Sequence, residues 1–293
     1  MPRPLGVFAS IDAGLGVRLD VAHELGVPTI HLHTPHKPTR TAENADRFRD
    51  RLQELGIKIS VVFAGFDGES YADIPTVVNT VGLMPEATRA ERLAELKEIA
   101  DFARLLSSDA TAHGGGMLPV GLHIGFVPHD EADPGFAQIV AATREACDHC
   151  GEHGQNVHLE TGQEPADALL QFLEAVDRPN LFINFDPANM ILYGCGEPLP
   201  ALRKVGRYVR SVHCKDARWS DQPGDTWGEE TPLGEGAVDF RRFLSVLDEI
   251  GYQGPLTIER EIPQEPARQK AEIGGALDLL RGIQKERMEE GIS

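Results

Sequence analysis

The 293 residues are 41% hydrophobic, 25% charged and 6% aromatic, a composition that excludes disordered and fibrous classes and supplies a full core. With 46 acidic against 28 basic residues the formal charge is -18, a balance that repels polyanions, so nucleic acid is not an expected partner. No stretch reaches the roughly 18 apolar residues that span a bilayer, and the first residues lack a signal peptide's apolar run, which predicts a cytoplasmic protein with no membrane partner.

Short β-rich runs alternate with longer amphipathic ones, the pattern of parallel strands joined by crossover helices. In chain order the predicted strand and helix pairs are 5–11 with 15–25, 29–34 with 42–55, 58–64 with 86–106, and 120–127 with 136–153. Then follow 156–161 with 165–175, 181–186 with 199–205, 209–216 with 240–250, and 256–261 with 267–289. Leu93, Leu96, Ile99, Ala100 and Ala103 recur at the spacing of a helix with one buried face. Gly26, Gly56, Gly151 and Gly251 close helical runs, where a left-handed cap favours glycine.

Eight βα units suit a closed (β/α)8 TIM barrel, and by pattern alone also a doubly wound open sheet. Barrels commonly run to about 250 residues as one unit, and no linker splits the chain, so residues 1–293 read as one domain. Two long connections, 65–85 and 218–236, follow strand ends and read either as lids or as solvated insertions. Gly114-Gly115-Gly116 precedes a strand and reads as a flexible turn; without a phosphate-cradling glycine motif, a nonphosphorylated substrate is expected. Four cysteines are too few for a disulfide framework. Cys147-x-x-Cys150 lies in a predicted helix and reads as buried thiols rather than as zinc ligands completed by His149 or His153.

Ionisable residues are costly inside a sheet, so their recurrence at four late strand ends carries information. These ends are His158-Leu159-Glu160, Asn184-Phe185-Asp186, His213-Cys214-Lys215-Asp216 and Thr257-Ile258-Glu259-Arg260-Glu261. Side chains alternate along a strand, so Leu159, Phe185, Cys214 and Ile258 face the helices while the polar set faces the barrel mouth. Converging carboxylates repel one another, and a divalent cation among them removes that cost. Glu160, Asp186, His213 and Glu259 are thus candidate ligands for one ion; three oxygen donors and an imidazole suit Mn2+, Mg2+, Co2+ or Zn2+ alike. Rim salt bridges, Glu259 with Lys215 for example, are the alternative account.

Four motifs, His158-Leu-Glu160-Thr-Gly162, Asn184-Phe-Asp186-Pro-Ala-Asn189, Val212-His213-Cys-Lys215-Asp216 and Thr257-Ile-Glu259, resemble the sugar phosphate isomerase/epimerase family. That family has a xylose isomerase-like TIM barrel and includes D-tagatose 3-epimerase-like enzymes, hydroxypyruvate isomerase and inosose dehydratase, with endonuclease IV more distant. Gly234-Glu-Gly236 followed by Val238-Asp-Phe240 looks like the family's segment after the seventh strand. The resemblance implies one divalent metal on the four candidate ligands, with Glu160 and Glu259 also moving protons at adjacent sugar carbons. It further implies a metal-dependent isomerase or epimerase working through an enediolate on a small keto-sugar or polyol, in a chain whose relatives often form dimers or tetramers. A dehydratase or lyase on the same site is the neighbouring reading. In the ketose epimerases a histidine stands where this chain has Asn189, and the nearest match to their arginine after the seventh strand is Arg218.

Among further candidate substrate contacts, His123 and His33 are read as pocket lining or core packing. His31 shares a face with His33, Lys215 is placed to neutralise an enediolate or to pair with Asp216 or Glu261, and Trp227 and Phe66 read as walls for the sugar or as lid packing. An abasic-site nuclease would need basic phosphate-binding loops that this composition lacks, and retention of all four ligands argues against a non-catalytic sugar-binding barrel.

Overall fold

The computed structural model describes residues 2–12, 14–107 and 116–291; Gly114 and Gly115 of the predicted glycine turn lie outside them. In chain order come β1 (Leu5–Ser10), α1 (Leu19–Glu24), β2 (Thr29–His33), α2 (Ala42–Leu55), β3 (Lys58–Phe63), α3 (Ile74–Thr80), α4 (Glu86–Leu106) and β4 (Val120–Leu122). The next elements are α5 (Pro134–Gly151), β5 (Val157–Glu160), α6 (Ala166–Val176), β6 (Leu181–Phe185), α7 (Pro187–Tyr193) and α8 (Pro198–Val205). Then follow β7 (Val209–Cys214), β8 (Asp216–Arg218), β9 (Glu229–Thr231), α9 (Phe240–Glu249), β10 (Leu256–Ile258) and α10 (Pro266–Glu289).

Eight parallel strands close in the order β1-β10-β7-β6-β5-β4-β3-β2, which decides for the barrel over the open sheet. Local chemistry sets the helix limits: the Thr41 hydroxyl accepts from Asn44 N at the start of α2, and Gly56, at φ 68, closes its end in the left-handed region. The predicted alternation is realised, since Leu159, Phe185, Cys214 and Ile258 are all at most 1% exposed. Phe185 stacks on Phe243 of α9, with 6.4 Å between ring centroids. Burying such side chains between strand and helix is worth about 1.5–3 kcal/mol each. Inside the barrel the chain buries a polar and aromatic layer, where His158 bonds Ser211 at 2.8 Å.

Four local expectations are corrected. The strand predicted over 120–127 ends at Leu122, because Ile124 O turns to accept from Leu83 N in the long connection before α4. The strand predicted over 209–216 breaks after Cys214, and Asp216–Arg218 joins an antiparallel pair with Glu229–Thr231. The helix predicted from residue 15 begins at Leu19, Val17 bridging to Ala9 instead. Finally α7 was not predicted; it is buried on every side and so lacks the two-sided periodicity by which a helix is recognised.

Both long connections carry structure of their own. The first contains α3, whose N-terminus Asp73 caps by accepting from Thr76 N at 2.7 Å. In the second, the Asp216 carboxylate accepts from the backbone N–H of Ala217, Gly234, Gly236 and Val238, tying residues 233–238 to the end of the barrel. Gly236 must be glycine, because a Cβ there would lie 2.1 Å from Asp216 Oδ1. Cys147 and Cys150 are buried thiols whose pKa values burial pushes up to about 12, as expected of unreactive core residues.

Candidate metal centre and cavity

Four consecutive barrel positions deliver the predicted ligands. Glu160 ends β5, Asp186 follows β6, His213 lies on β7 and Glu259 follows β10. Their ligand atoms all lie within 4.8 Å of one another, the one such group of three or more among the described residues. His213 Nδ1 stands 2.6 Å from Glu160 Oε1, 3.2 Å from Glu259 Oε2 and 3.7 Å from Asp186 Oδ2. Its other ring nitrogen, Nε2, is 2.9 Å from His31 Nδ1, which fixes the imidazole plane.

Asp186 is both ligand candidate and helix cap. Its Oδ1 accepts from the N–H groups of Ala188 and Asn189 at the start of α7, leaving Oδ2 buried among the other ligands with no hydrogen-bond partner. Asn189 Nδ2 approaches Glu160 Oε1 at 3.3 Å. That approach needs Gly162, at φ 147, where a Cβ would sit 2.4 Å from the Cβ of Asn189.

The electrostatics show what the cluster wants at its centre. Burial pushes the Asp186 carboxyl up to about 6. Burial opposes ionisation of Glu160 too, but His123 and His213 beside it hold it well below the usual carboxylate range. Against the same burial, Lys215 and His213 draw Glu259 down to about 2. His213, disfavoured as a cation by burial, is driven well above the usual imidazole value by Glu259 and Glu160. Three carboxylates thus gather around a proton held on an imidazole, with one carboxylate oxygen unbonded. A divalent cation displacing that proton satisfies all of these groups, so the donor set fits the ion expected from the sequence.

Glu160 and Glu259 open into a cavity of about 1190 Å3 at the barrel mouth. Of the other residues named from the sequence, His33, His123, Asn189, Lys215, Trp227 and Phe66 line it. His123 Nε2 lies 2.9 Å from Glu160 Oε2, and its Nδ1 receives the Gln163 amide at 3.1 Å. Gln163 also donates to the Tyr193 hydroxyl at 3.2 Å, and Trp227 packs edge-on to Tyr193 with centroids 4.7 Å apart. Lys215 Nζ reaches Glu259, Glu230 and Glu261 at 3.4, 3.6 and 3.9 Å, and these carboxylates outweigh burial to keep it firmly protonated. The ion pair between Glu259 and Lys215 therefore exists alongside the ligand cluster and does not replace it.

Arg218 does not join this group. It sits on β8 with its guanidinium turned along the hairpin, bonded to Glu235 O at 2.9 Å and paired with Glu229 at 3.7 Å, and it is absent from the cavity wall. His158 shares the face of Glu160 but lies one layer deeper, in the barrel interior. Tyr71, Tyr193, Gln163 and Glu230 were missed. Tyr71, whose ring lies 5.6 Å from that of His123, and Glu230 come from the two long connections. Length had marked those connections, and Phe66 and Trp227 within them, but nothing in the sequence singled out Tyr71 or Glu230.

Residues 19–282 match the family described as xylose isomerase-like TIM barrel. The solved structure of a xylose isomerase domain protein from Planctomyces limnophilus is 55% identical, with a TM-score of 0.92, covering 98% of this chain and 99% of that one. An inosose dehydratase of Clostridium beijerinckii is 28% identical over 121 residues, 38% of this chain and 40% of the relative. An L-ribulose 3-epimerase of Methylomonas sp. is 29% identical over 147 residues, 46% of each. The chain thus aligns with less than half the length of these two curated relatives. With its closed barrel matched from residue 19 to 282, and superposing along nearly its whole length on a relative 55% identical, the chain belongs to the xylose isomerase-like TIM barrel family.

Proposed function

We propose that this chain is a divalent-metal-dependent isomerase or epimerase of a keto-sugar or related polyol, with residues 1–293 acting as one catalytic unit. The observation that carries the reading is the meeting of Glu160, Asp186, His213 and Glu259 within 4.8 Å at the mouth of the barrel. A divalent cation bound there supplies the Lewis acidity that makes a C–H beside a carbonyl removable. Glu160 and Glu259, both kept ionised, accept the substrate proton and return it. His123 steadies Glu160 through its Nε2, and Lys215, beside Glu259, presents a fixed positive charge to the oxyanion that develops. His33, Asn189 and Trp227 line the cavity where the remaining hydroxyls and the apolar sugar face would lie.

A dehydratase is the second reading. It is favoured by the relatives named inosose dehydratase, and the asparagine at 189 is compatible with either outcome. In that case the carbanion formed by proton removal expels a neighbouring hydroxyl instead of being reprotonated. The deciding experiment loads the protein with Mn2+ and incubates it in D2O with ketoses and keto-inositols, followed by NMR. Deuterium incorporation with carbon skeleton and hydroxyls intact is the expected result. Loss of water supports the dehydratase, and a metal-loaded protein that exchanges no proton on any of these compounds sinks both.

A further inference from the structure

We infer that the substrate has two units: a reacting ring over the four ligands, and a second uncharged polyol unit, as in a disaccharide or glycoside, lying against residues 35–40 and α4. This rests on the carbohydrate reading above. The cavity, at about 1190 Å3, exceeds the roughly 300–1,000 Å3 that enclose drug-sized ligands, and a single hexose is smaller than those. The ligands stand on the β5, β6, β7 and β10 side. From there the cavity continues past Gly65 and Phe66, on the β3 side, to a wall formed by Arg40 and Lys37 with Thr88, Glu91 and Glu95 of α4.

The chemistry of that wall specifies the second unit. Its cations are already engaged: Lys37 Nζ is 2.8 Å from Glu98, and Arg40 Nη2 donates to Glu95 at 2.7 Å. Arg92 donates to the carbonyls of Thr80, Gly82 and Asp67. A phosphate or carboxylate placed here would meet paired cations and three glutamates, an unfavourable desolvation with no compensating charge. Glu91, Glu95 and Glu98 accept, and the Lys37 ammonium keeps N–H donors to spare beside its ion pair, a mixture that matches sugar hydroxyls, each of which both donates and accepts. Phe66 offers an apolar surface between the two positions.

The test is direct binding to the intact chain loaded with Mg2+, by titration calorimetry and crystal soaking. Glucose and fructose serve as single-unit probes, and sucrose, maltose and cellobiose as two-unit probes. The expected result is at least one two-unit probe bound about tenfold or more tighter than either monosaccharide. In Ala94→Trp, which adds bulk at an exposed position of α4 on the cavity wall, that ratio falls toward one. Glu91→Ala, which removes an exposed carboxylate from the cavity wall, lowers the ratio by a smaller factor and guards against misfolding of the bulkier variant. Two-unit probes binding no tighter than single ones, or a ratio unmoved in both variants, overturns the inference. If monosaccharides still bind and exchange protons, the site assignment survives that failure; if no probe of either kind binds the metal-loaded protein, both fall together.

Discussion

The floor and the far wall of the cavity are built by opposite means. Floor residues come from the ends of hydrogen-bonded strands, and Glu160, Asp186 and His213 are at most 3% exposed, each held by at least one further contact. Wall residues come from connections and from α4 and carry paired charges. Strand ends hold a few atoms within a fraction of an ångström, which reacting groups require. Connections tolerate change, which suits the choice of substrate.

The largest expected effect lies in the floor. Glu259→Gln keeps the shape of the side chain and removes its charge, so proton exchange on the correct substrate falls by about 10²–10⁴-fold, as measured by NMR in D2O. An exchange rate within a few-fold of the parent would show that Glu259 moves no proton.

Glu164 sharpens the comparison from the side of stability. It is 3% exposed, accepts from Val127 N at 2.9 Å, and burial pushes its carboxyl from 4.5 up to about 7. The folded state therefore holds this proton more tightly than the unfolded chain does. Its contribution is fully present below about pH 4.5 and is lost as pH rises through 7, at most about 3 kcal/mol. Glu164→Gln retains the acceptor and cannot ionise, so the variant should match the parent in urea unfolding at pH 4.5 and exceed it at pH 8. Equal stability at both pH values would mean that the carboxyl titrates normally.

Third in size is His31, whose only proposed role is to hold His213 through Nε2. His31→Leu should weaken Mn2+ binding by about 10–100-fold in calorimetric titration. Unchanged affinity would assign the His31–His213 pair to packing alone. Smallest is Arg218→Ala, which removes an exposed side chain bonded along the hairpin. Turnover should change by less than about twofold, and stability by about 0.5 kcal/mol or less. A tenfold loss of turnover would bring Arg218 back to the cavity and break the division between floor and wall.

The sequence by itself determined the floor. Alternation along a strand is a period-two pattern carried by neighbouring residues, so His158-Leu-Glu160 and Asn184-Phe-Asp186 declare which side chain faces inward before any strand is paired. The helical period is equally local, and α2 and α4 run over the predicted 42–55 and 86–106. Only the tertiary structure decided the wall. That Glu230 meets Lys215, that Tyr71 leans on His123, that Arg218 turns away and that α7 is buried on all sides depend on where separate connections come to rest. Such placements arise from packing between segments distant in sequence, which leaves no periodic trace in any one of them.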